Sequence, residues 1–106
     1  MIKPQTSRKE FYDWERIFKG AANHRRLEML HLLEKDPRLA VDEIITLLKI
    51  NYQTGAEHLR RLREARLVHK FRKGKNTLHE LTPRAITLLN YCKSHNDNIR
   101  KVCRDE

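Results

Sequence analysis

Apolar positions recur at helical spacing through most of this chain, and the breaks between those runs predict five helices and one hairpin. Phe11, Trp14, Ile17 and Phe18 line one side of a first helix. It opens at Ser7-Arg8-Lys9-Glu10, where Ser7 can cap the third amide while Glu10 reaches back. Gly20 is expected to break it. Asn23 then caps a second helix, whose broad apolar side holds Leu27, Met29, Leu30, Leu32 and Leu33. That helix stops near Asp36-Pro37, because proline disfavours helical geometry in the residue before it. Asp42 is placed to cap a short third helix carrying Ile44, Ile45, Leu47 and Leu48.

Only Lys49 and Ile50 separate that helix from Asn51, which caps a fourth, over residues 51–65. Tyr52, Ala56, Leu59 and Leu62 form its apolar face. Thr54, Glu57 and Arg61 point the opposite way, with Gln53, His58, Arg60 and Glu64 beside them. Two short helices joined this tightly make a helix-turn-helix. The second offers amide, hydroxyl, carboxylate and guanidinium groups on one face, the types that read base edges in a major groove. An ordinary solvated amphipathic helix would present a similar face, so the stretch does not decide between the two.

Residues 67–81 read as two short strands around Lys73-Gly74-Lys75, with glycine supplying the turn. The tip carries Arg72, Lys73 and Lys75, as a wing does. Thr82-Pro83 opens a last helix, threonine as cap and proline at the first position. Its apolar side runs through Ile86, Leu88, Leu89, Cys92, Ile99, Val102 and Cys103; polar residues 95–98 interrupt it, where the helix either continues or bends. The expected fold is mainly α: a flexible arm at 1–6, then a winged helix-turn-helix domain over 7–106 with about five helices and a two-stranded β-hairpin.

Charge sharpens this picture through its distribution. The net charge of the 106 residues is +9. Between residues 49 and 75, Lys49, Arg60, Arg61, Arg63, Arg66, Lys70, Arg72, Lys73 and Lys75 face only Glu57 and Glu64, while the flanking stretches are close to balanced. Nearly all the excess lies on one contiguous segment, the footprint of a polyanion-binding surface. No apolar run approaches the roughly 20 residues a membrane span needs, and MIKPQTSRKE lacks the apolar core of a signal peptide. Two cysteines are too few for a secreted disulfide scaffold. The expectation is a cytoplasmic chain that meets no membrane.

Several stretches together resemble the ArsR (arsenic-repressor) family of winged-helix transcriptional regulators. Residues 18–30, FKGAANHRRLEML, are similar to the family's entry into the second helix. Residues 57–68, EHLRRLREARLV, resemble the end of its recognition helix and first wing strand, and Leu81-Thr82-Pro83 resembles its exit from the wing. The resemblance covers about residues 16–83. It implies a homodimer, paired through first and last helices at 7–19 and 83–104, that reads a palindromic operator on double-stranded DNA. Gln53, Thr54, Glu57, His58, Arg60 and Arg61 would meet DNA from the fourth helix, and Arg72, Lys73 and Lys75 from the wing. Phe11, Trp14, Phe18, Leu89, Cys92 and Ile99 would form the dimer seam.

Three positions depart from the family pattern. Gly55 stands inside the recognition helix, at a cost of roughly 1 kcal/mol in propensity. Arg66 replaces a glycine between helix and strand, so a left-handed cap there would be mildly strained. Glu57 puts an anion on the DNA-facing side. The family's metal sites find no match: Leu39 to Leu48 holds no Cys or His, and His95-Asn96-Asp97 reverses an Asp-x-His order. No metal or cofactor is therefore expected, and Cys92 and Cys103 are read as small apolar residues in the seam.

The leading reading is a homodimeric, sequence-specific DNA-binding repressor. The alternative is a winged-helix protein-interaction module without operator binding, its apolar first and last helices docking another partner. Nothing supports an enzyme, since the six histidines are scattered and no nucleophile–base pair or phosphate loop stands out. An aromatic-rich strand of the RNA-binding kind is absent.

Overall fold

Each helix starts where a side chain or a glutamate can serve its free amides. The computed structural model describes residues 6–103, with side chains described as far as Asn96. Ser7 accepts from the Glu10 amide at 3.3 Å and opens α1 (Arg8–Ala21). Asn23 accepts from both Arg25 and Arg26 and opens α2 (His24–Lys35). In α3 (Val41–Leu48) the N-cap is Ala40, which has no capping side chain; Glu43 reaches back to its amide at 3.0 Å instead. Asp42, expected as the cap, lies inside the first turn, where its charge still complements the helix dipole. After α4 (Tyr52–Glu64) come β1 (Val68–Lys73), β2 (Asn76–Leu81) and the unbroken α5 (Pro83–Cys103).

The strands pair antiparallel with Lys73 opposite Asn76, so Gly74 and Lys75 make a two-residue turn. Gly74 sits at φ +65°, the conformation that a hairpin of this length asks of its first turn residue. The hairpin does not hang free. Leu39, between α2 and α3, bridges to His79 through two backbone hydrogen bonds of 3.2 and 2.8 Å. At the other end, Thr82 caps α5 through Ala85 and donates its hydroxyl to the Arg66 carbonyl at 2.7 Å.

One core ties these parts together: Met29, Leu30 and Leu33 of α2, Ile44 of α3, Leu59 and Leu62 of α4, Leu67, Val68, Ala85 and Leu89. Three expectations are corrected by it. Gly20 does not break α1; it is a buried helical residue where α1 crosses α4, and the missing side chain is what permits the crossing. Tyr52, assigned to the inner face of α4, is 56% exposed, and Gly55 takes the inward position with Leu59 and Leu62. Leu89 is only 5% exposed and belongs to this chain's own core rather than to an outer seam. The capping box at Ser7 is half formed: only the bond from the Glu10 amide is made. Most of the proposed arm at 1–6, together with the side chains of Ile99, Val102 and Cys103, lies outside the described residues.

Candidate nucleic-acid interface

The turn between α3 and α4 is built by one left-handed backbone position and an asparagine cap. Lys49 adopts the left-handed conformation (φ 55°, ψ 49°), and the Ile50 amide returns to the Ile45 carbonyl at 3.2 Å. Asn51 then accepts from the amides of Gln53 and Thr54, at 2.8 and 3.3 Å, restarting the chain as α4. At Gly55 a Cβ would stand 2.8 Å from Ile45 Cγ1 and 3.1 Å from Ile50 Cδ1. The glycine that weakens α4 as an isolated helix is thus what seats it against α3.

Seated this way, α4 exposes Gln53, Thr54, Glu57, Arg60 and Arg61 together. The last three form one network. Glu57 receives the Arg60 Nε at 3.0 Å and the Arg61 Nε at 3.1 Å, and Arg60 also pairs with Glu64. Hydrogen bonds from Arg60, then Arg61, hold the Glu57 carboxyl down to about 2. Both guanidiniums therefore carry anionic partners along the helix, and the local net charge is small.

His58 is placed differently. It is half-buried, and its Nδ1 accepts from Arg26 Nε at 3.2 Å, while Arg26 Nη1 also donates to the carbonyls of Lys19 and Gly20. An arginine can only donate, so the imidazole must be neutral to accept. Burial, and then the Arg26 charge, push its pKa below the ordinary value in the same direction. Arg26 so links the end of α1 to the middle of α4, a role nothing in its local sequence advertises.

At the wing, Arg72, Lys73 and Lys75 are exposed and make no ion pair among the described residues. The wing cations are thus free while Arg60 and Arg61 are held. Charge alone could not separate these two groups; the separation depends on carboxylates one helical turn away. Nothing in the sequence singles out His79, a β2 residue only 3% exposed; at Arg66 the φ of 59° bears out the expected left-handed strain. Among the described residues no three His, Cys, Asp or Glu side chains converge on one point, and no helix is long and apolar enough to cross a membrane.

A helix-turn-helix followed by a cation-tipped hairpin is the architecture of a winged helix-turn-helix domain. Residues 23–70, from the cap of α2 into β1, match the family described as bacterial regulatory protein, arsR family. Over that stretch the chain is similar to a family of bacterial regulatory proteins.

Solved structures share this fold. The chain is 26% identical to a homodimeric winged helix-turn-helix DNA-binding domain from Mycobacterium bovis, a possible ArsR-family transcriptional regulator; the match covers 92% of each chain with a TM-score of 0.73. The transcriptional repressor PagR of Bacillus anthracis shares the fold at 23% identity, over 81% of this chain and 99% of that one, with a TM-score of 0.73. NolR from Sinorhizobium fredii shares it at 21%, over 88% and 95%, again at 0.73. No curated protein matches the chain by sequence.

Proposed function

We propose that this chain acts in the cytoplasm as a homodimeric, sequence-specific transcriptional repressor. In this reading α4 enters the major groove, with Gln53, Thr54, Glu57, Arg60 and Arg61 towards the bases. His58 stands at the edge of that face, and Arg72, Lys73 and Lys75 run along the backbone or into the minor groove. Repression needs only occupancy, since a dimer seated on an operator excludes other proteins from the same DNA.

The observation that carries the dimer is the bare apolar surface of α1. Phe11 (55%), Trp14 (47%) and Phe18 (68%) stand in solvent, with Phe11 and Trp14 packed edge to face, and α5 leaves Ile86 and Tyr91 exposed. Contiguous apolar surface of this kind commonly marks an interface. A second copy is the economical occupant, because a two-fold pair would also present two α4 helices about 34 Å apart, as successive major grooves require. Half-buried Cys92 and the more distal Ile99 are assigned to the same seam. The homodimeric Mycobacterium bovis domain supports the assignment.

Sedimentation of the wild type, Trp14→Glu and Ile99→Glu tests it, beside binding to DNA from the promoter next to the protein's own gene. The expected result is a wild-type dimer, with both variants shifted towards monomer and losing much more affinity for operator than for random DNA. A wild type that is monomeric at tens of micromolar, with or without DNA, would overturn the dimer and favour the interaction-module reading.

A further inference from the structure

Between α4 and the wing lies a cleft of about 330 Å³, within the range of small-molecule sites. Val41, Ala56 and Leu59 give it an apolar lining, joined by the exposed Tyr52. Two cations line it, Arg63 from α4 and Lys70 from β1, and neither has an ion-pair partner among the described residues. This sets Arg63 apart from Arg60 and Arg61 on the same helix, both tied to Glu57.

His79 also lines the cleft, although it is only 3% exposed. Its Nδ1 lies 3.2 Å from the Leu39 carbonyl oxygen. A carbonyl only accepts, so Nδ1 carries the proton and Nε2 is left with a lone pair. Nε2 has no hydrogen-bond partner among the described residues and is not sealed from solvent, so a histidine that lines the cleft keeps a free acceptor. Desolvation, aided by the charges of Arg63 and Lys70 and opposed by the hydrogen bond to Leu39, lowers the ring's pKa and so favours the neutral, accepting form.

We infer that this cleft binds a small aromatic carboxylate bearing a hydroxyl or amine donor. The ring would lie on Val41, Ala56 and Leu59, the carboxylate between Arg63 and Lys70, and the donor on His79 Nε2. A larger hollow of about 420 Å³ between α1 and α4 lacks these features. Its Lys19, Arg61 and Glu64 are already paired with Glu15, Glu57 and Arg60, which leaves Arg16 as its single cation without an ion pair among the described residues, and no histidine lines it. The cleft is bounded by the reading helix on one side and the wing on the other, so an occupant would set their relative position. The binding itself stands independently of the DNA-binding reading.

The test is titration of the full chain, without DNA, with 4-hydroxybenzoate, benzoate and phenol, followed by calorimetry and by the ring resonances of His79, Tyr52 and the remote His31. Saturable binding of 4-hydroxybenzoate is expected, moving His79 and Tyr52 but not His31. Benzoate lacks the donor and phenol the carboxylate, so each should bind roughly three- to tenfold more weakly. Arg63→Gln should weaken 4-hydroxybenzoate by a similar factor, and Ala56→Leu, which fills the cleft, should abolish binding. Failure of all three probes to saturate the wild type overturns the inference. So does binding that leaves His79 unmoved, or that persists in a folded Ala56→Leu chain. Should that variant not fold, Arg63→Gln and the resonances decide. Operator binding by the free chain is measured separately, so a failed ligand site and a failed DNA reading give different results.

Discussion

Gly20 of α1 and Ala65 at the end of α4 meet so closely that a Cβ on Gly20 would stand 2.5 Å from the Ala65 Cβ. Neither position has a flexible side-chain end that could move aside, and the two helices carry the apolar α1 face and the proposed reading surface respectively. Gly20→Ala should therefore destabilise the fold by about 1–2 kcal/mol, the overpacking cost less the gain in helix propensity. Ala65→Gly in the same chain should restore much of the loss. Urea unfolding of the two single variants and the double variant checks it; additive losses would mean the two positions do not touch.

Arg66 makes the opposite prediction. It holds φ 59° at the junction of α4 and β1, where its carbonyl receives the Thr82 hydroxyl. Glycine adopts this conformation without a steric penalty, so Arg66→Gly should stabilise the domain by about 0.5–1 kcal/mol despite its looser unfolded state. A rise of a few degrees in the thermal midpoint is expected; a fall would show that the arginine side chain contributes more than its backbone costs.

Glu57 restrains two guanidiniums at once. In Glu57→Gln both Arg60 and Arg61 lose their strongest partner. Affinity for random DNA should rise, and log K should fall more steeply with log salt, by up to about 0.9 for each guanidinium that reaches a phosphate. Discrimination between operator and random DNA should shrink. Salt titration on both DNAs measures this, and an unchanged slope would show that the network does not restrain DNA binding.

The wing should act on phosphates. Replacing Arg72, Lys73 and Lys75 with alanine should weaken binding to all sequences alike and flatten the salt slope by about 0.9 for each phosphate no longer neutralised. Competition binding at several salt concentrations separates this from base reading, in which the weakening would fall on the operator alone.

Acid should loosen the fold through its histidines. Burial lowers the His79 pKa in the folded chain, and burial with the Arg26 charge lowers that of His58. Over the interval below the imidazole's ordinary value of about 6.5, the unfolded chain takes up more protons than the folded one. Their contribution is therefore fully present above that value and is lost as pH falls below it towards the folded pKa. Urea midpoints should be lower at about pH 5.5 than at about pH 7.5, with the difference reduced in His79→Gln. An equal pH difference in that variant would move the effect elsewhere.

Most of the architecture was legible in the chain because its causes are local. Periodicity located the helices, Asn23, Asn51 and Thr82 marked three starts, and Lys73-Gly74-Lys75 marked the turn, each through neighbours within a few residues. The clustering of cations between residues 49 and 75 pointed to a polyanion surface for the same reason. What the sequence determined is thus the set of elements, their order and the charge they carry.

Tertiary packing decided the rest. Gly20 reads as a helix breaker and Gly55 as a weak point until α1, α3 and α4 are brought together, when both become the places where backbones approach. Tyr52 and Gly55 share the inner half of α4 by period, and only the position of α3 selects the glycine. The bridge from Leu39 to His79 spans 40 residues, and the pairing of β1 with β2 sets Lys70 opposite His79 in a cleft that Arg63 also lines, while Arg60 and Arg61 stay bound to Glu57. Propensity and period act along the chain, whereas pairing, burial and the freedom of a charge depend on what lies across from it.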